Sequence, residues 1–212
     1  MQTDTDYIKD LTHIRSMMER SSRFISLSGL AGVCAGVFAL AGVAAAYWYL
    51  DLEAYPNYYE GATYSSTRYN TDFIAFFVAD AVLVLLASLA GAVFFTTRKA
   101  KRNGLKIWDK TAMRLVINMA IPLMAGGLFC LALFYQGALG LIVPATLIFY
   151  GLALLNGSKY TLNDIRYLGI CEIALGVLAS FFIGYGLVFW AIGFGVLHII
   201  YGAVMYFKYE RA

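Results

Sequence analysis

Six long stretches of this 212-residue chain carry almost no charge, and nothing else in it constrains the fold as strongly. They run about 24–50, 73–95, 114–135, 138–156, 167–184 and 187–207. A helix rises 1.5 Å per residue, so ~20 apolar residues cross a hydrocarbon layer of about 30 Å. In lipid the backbone must satisfy its own hydrogen bonds, which leaves the helix as the local structure of each stretch. Composition agrees. Only 14% of residues are charged, 61% are apolar or aromatic, and the mean hydropathy is +0.69. Soluble domains are closer to a quarter charged. The expected fold is all-α: a polytopic six-helix transmembrane bundle over 24–207, built as three in–out–in hairpins, with a short tail at 208–212. Pro122 and Pro144 fall inside the third and fourth spans, where neighbouring helices tolerate a kink.

Charge sets the expected orientation. Fifteen of the sixteen Lys and Arg residues lie in the segment before the first span, in the second–third and fourth–fifth connections, and after the sixth span. The remaining one, Arg68, sits in the loop 51–72 with Asp51, Glu53, Glu60 and Asp72. Positive charge marks the cytoplasmic side, so both termini are expected inside. Residues 1–23 read as a cytoplasmic amphipathic helix, with Ile8, Leu11, Ile14 and Met18 at helical spacing. It would lie on the membrane surface or simply lead into the first span. The tyrosines of the loop 51–72 read as an outer aromatic belt, or as an acidic cap over a cation pathway. The basic loop 96–114, with Trp108, serves topology or meets anionic lipid, and no nucleic-acid partner is expected.

Three ionisable residues lie well inside the spans: Asp80, Glu172 and His198. Charge in a membrane is costly, so such groups face a bundle interior or a cavity. Glu172 stands 13 residues before Tyr185, at the fifth–sixth turn, and His198 stands 13 after it. In an antiparallel hairpin that puts both ~20 Å from the turn, at equal depth. Gly169, Gly176 and Ala179 share a stripe with Glu172, which predicts close packing of that face. Glu172 and His198 are therefore expected to approach each other, either to fix packing or to relay protons or hold a cation. Asp80 should be shallower, roughly 10 Å from the outer surface. Asn118 and Tyr150 fall in the inner half and extend the expected polar cluster. Gly32 and Gly36 form a GxxxG that marks a close helix contact, within or between chains.

Cys34, Cys130 and Cys171 are dispersed in apolar runs, which suits packing rather than a disulfide framework. The sequence has no HExxH, GxSxG or phosphate-binding glycine loop. No enzyme activity, cofactor or metal is expected. The segment Asn156-Gly-Ser-Lys-Tyr-Thr161 through Phe207-Lys-Tyr-Glu210, above all Gly193-Phe-Gly-Val-Leu-His-Ile-Ile-Tyr-Gly202, resembles uncharacterised small bacterial six-span inner-membrane proteins. The resemblance implies a bacterial cytoplasmic membrane and brings no activity with it. Two functions stay open. One is a small ion- or proton-coupled channel or transporter using Asp80, Glu172 and His198. The other is a membrane scaffold, sensor or complex subunit, in a homo-oligomer or with another membrane protein, acting through the basic loop and the N-terminal helix.

Overall fold

The computed structural model describes residues 24, 26–52, 71–104 and 108–211, and among these every regular element is helical. The expected amphipathic helix at 1–23 and the tyrosines of the 53–70 loop lie outside the described residues. Helix α1 is Gly29–Leu52, α2 Thr71–Arg102, α3 Lys110–Tyr135, α4 Ile142–Gly157 and α5 Asp164–Phe181. A sixth rod follows. It comprises α6 (Gly186–Trp190), a π-helical segment (Ala191–Leu197) and α7 (His198–Tyr209), joined without a break.

Five stretches are long and apolar enough to cross a membrane: Gly29–Leu50, Thr71–Arg102, Lys110–Tyr135, Leu139–Tyr160 and Ile183–Tyr209. The remaining helix, α5, is shorter at 18 residues and carries Asp164, Arg166 and Glu172.

Local chemistry sets the helix ends. Asp109 caps α3, accepting from Ala112 N at 2.6 Å. Gly137, with φ +73°, takes the left-handed turn after α3 that a side chain would resist. The first apolar run becomes helical only at Gly29. Phe24 is held in place instead, donating its N–H to Tyr160 O (2.7 Å) and accepting from Thr161 Oγ1 (2.7 Å). Glu210 then caps α1 from the far end of the chain, taking Gly29 N–H and Ser28 Oγ–H.

Small residues decide which helices touch. A Cβ on Gly151 of α4 would lie 2.6 Å from Gly169 O of α5, and one on Gly36 of α1 2.6 Å from Gly195 O of the sixth rod. The backbones are in direct contact along these two seams. Helix α2 packs along α1 and α3 along α4. Both are outer arms, with only 6% and 11% of their most apolar windows buried. The basic segments gather at one end of the bundle. There Lys99 Nζ donates to Leu27 O (2.7 Å), and Lys208 Nζ donates to Asp164 Oδ1 (3.1 Å).

Candidate functional site

The α4–α5 seam and the sixth rod enclose Glu172 completely, and His198 is 6% exposed. His198 Nδ1 lies 3.5 Å from Glu172 Oε1. That is an electrostatic contact, longer than an ordinary hydrogen bond. The same nitrogen lies 3.0 Å from Gly193 O, within the π-helical segment. On the other side of the ring, Nε2 is 2.7 Å from Tyr150 Oη. A carbonyl oxygen only accepts, so Nδ1 carries a proton. In the neutral imidazole Nε2 then accepts from the Tyr150 hydroxyl. Tyr150, His198 and Glu172 thus form one continuous polar chain across three helices.

Glu172 is the anomaly in this chain. Neither carboxylate oxygen has a hydrogen-bond partner among the described residues. A bare buried carboxylate is expensive, so the group needs either a proton of its own or a charge on His198 beside it. Gly193 makes the space: a Cβ there would stand 2.6 Å from Glu172 Oε2. The π-helical turn also loosens the regular ladder at this point, a distortion often found at functional sites.

Tyr150 and His198 form part of the wall of a cleft of about 380 Å³. Ala39, Leu85 and Gly127 contribute from α1, α2 and α3, so the cleft lies at mid-height between the two outer arms. Trp190, Phe194 and His198 line it from the sixth rod, at successive intervals of four residues. Their rings form a chain: Trp190–Phe194 centroids are 5.3 Å apart, Phe194–Tyr150 5.1 Å and Tyr150–His198 5.3 Å. The two aromatics were not among the expected site residues. Their i, i+4 spacing ahead of His198 is the signal that could have found them.

The other expected site residues lie elsewhere. Asp80 faces α1, its carboxylate oxygens 3.2 and 3.3 Å from where a Cβ on Gly42 would stand. The Asn118 side chain turns back to Arg114 O (2.8 Å) on its own helix, as short polar side chains on helices do. Asn156 Nδ2 donates to Asn118 O (2.8 Å), which ties α4 to α3. The cluster therefore closes over Tyr150, Glu172 and His198, without Asn118 or Asp80. Among the described residues, no group of three or more His, Cys, Asp or Glu side chains could hold a metal ion.

No protein-family model, curated protein or solved structure matches this chain.

Proposed function

We propose that this is a six-span protein of the bacterial cytoplasmic membrane, with both ends inside, that carries a small amphiphilic molecule in its cleft. Proton coupling would run through the Tyr150–His198–Glu172 chain. In this reading α5 is the sixth membrane crossing, and its charged residues sit where they are needed: Asp164 and Arg166 at the surface, Glu172 in the site.

One observation carries the reading. An apolar cleft between two outer arms has the Tyr150–His198 pair in its wall, and Glu172, without a hydrogen-bond partner among the described residues, lies directly behind it. Ligand pockets share this make-up of apolar walls with a few convergent polar groups. A polar head group that replaced Tyr150 at Nε2 would change what His198 can accept or donate. That change would be felt at Nδ1, beside Glu172. Carriage without bond-making chemistry is the activity this supports.

Trp190 reports on the cleft. In a Trp48→Phe, Trp108→Phe background it is the sole tryptophan. N-phenyl-1-naphthylamine, a neutral apolar amphiphile, should quench it saturably. Gly127→Leu should abolish the quenching, because Gly127 lines the cleft and nothing lies within 4 Å of a Cβ there. In liposomes, a proton gradient should drive probe movement by the wild type and not by Glu172→Gln. Unchanged quenching in Gly127→Leu would remove the cleft as the binding site.

The exposure of α2 and α3 favours a second reading, in which a partner's transmembrane helix fills the cleft between them. Gly127→Leu would then break an oligomer or complex, visible as a change in mass in detergent.

A further inference from the structure

The end of the bundle that gathers the basic segments holds a second, polar cavity of about 470 Å³, distinct from the cleft. Ser28, Arg98, Lys99, Arg102, Asn103 and Glu210 form most of its wall. Two of its charges neutralise each other. Lys99 Nζ lies 3.6 Å from Glu210 Oε1, and Glu210 is further occupied by the N-terminus of α1. Arg98 and Arg102 are left over. They stand one helical turn apart, both exposed, with no carboxylate in ion-pair reach among the described residues. Like charges at that spacing repel unless an anion sits between them. The dipole at the C-terminus of α2 accounts for basic residues in the last turn, but not for Arg98 in the same cavity.

The surroundings identify the anion. Arg98 also lines a neighbouring apolar groove on α2, shared with Leu89, Val93 and Phe94, all more than half exposed and within two and a half turns of it. If the membrane placement proposed above holds, the apolar run ends at head-group level and the two guanidinium groups face it. Guanidinium groups match phosphate oxygens in forked pairs, and a lone inorganic phosphate would leave the apolar turns without a partner.

We infer that the cavity binds the phosphodiester head group of an anionic phospholipid, held by Arg98 and Arg102, with an acyl chain along Leu89, Val93 and Phe94.

The test is the apparent Kd of the whole protein in a neutral detergent for three probes: dioctanoyl phosphatidylglycerol, dioctanoyl phosphatidylcholine and inorganic phosphate. The wild type should bind the anionic lipid at least roughly tenfold tighter than either of the others. The Arg98→Gln, Arg102→Gln double variant should lose about thirtyfold, at about a factor of five for each basic residue. Arg114→Gln, outside the cavity, should stay within about twofold of wild type. Equal binding of phosphatidylcholine would overturn the inference, and so would an equal loss in Arg114→Gln. Phosphate binding as tight as the lipid's would show a free-anion site and overturn it too. None of these readings depends on Gly127 or Glu172, so this site and the cleft stand or fall separately.

Discussion

Glu172 and His198 are 26 residues apart, yet their meeting could be worked out by counting along the chain from Tyr185. A tight hairpin converts sequence distance into depth, which is why this contact was legible. Tyr150 was expected near the same level, but its bond to Nε2 was not, because depth says nothing about rotation around a helix axis. Asn118 shows the limit more plainly. It has the expected depth, and its amide is spent on Arg114 O. The geometry also fixes a chemical state that can be measured. Gly193 O leaves Nδ1 as a protonated nitrogen, so nitrogen-15 spectra of histidine-labelled protein should show an Nδ1–H imidazole, or imidazolium, at His198. His13 is the one other histidine, and His13→Gln makes the assignment unambiguous. A neutral ring protonated on Nε2 would contradict the arrangement.

Among elements, the small-residue stripes were readable and the distortions were not. Gly169 and Gly176 marked a packed face of α5, and that face meets α4: a Cβ on Gly176 would lie 2.9 Å from Pro144 O. Gly32 and Gly36 marked a face of α1, and it meets the sixth rod. The π-helical segment has no comparable signature, because Gly193 and Gly195 look like two more members of a packing stripe. The stripes make a paired prediction. Gly151→Ala should cost about 1–3 kcal/mol, since the new methyl meets the backbone of Gly169 and Ile173. Gly127→Ala meets nothing within 4 Å and should be neutral or slightly stabilising, by up to about 1 kcal/mol of helix propensity. Thermal unfolding of the two variants in the same detergent checks both, and equal losses would mean that the α4–α5 seam is looser than described.

For the whole molecule, hydropathy was enough to read an all-helical chain with long apolar rods, but not their ends: α1 starts at Gly29 rather than 24, and α2 runs on to Arg102. Their arrangement, with α2 and α3 as outer arms on either side of a cleft, depends on contacts between residues more than a hundred positions apart. The same is true of Glu210, which caps a helix 181 residues earlier. No local pattern encodes such a pairing. The six-fold crossing proposed above has a direct test. In a cysteine-free background, single cysteines at Gln136 and Tyr185 should be labelled from one side of the membrane, and those at Asn103 and Lys159 from the other. If α5 does not cross, positions 159 and 185 will share a side.

The cap on α1 also has a meaning in time. A ribosome makes α1 before any of the other helices described here, and α7 with Glu210 after them. One face of α1 can settle against α2 early in synthesis. The other, where Gly29, Gly32 and Gly36 meet the sixth rod, has nothing to close on until that rod is made. The fold is therefore a loop that the cell must finish before it can fasten, and a stalled or shortened product would leave the oldest of these helices with its glycine face open to whatever else lies beside it.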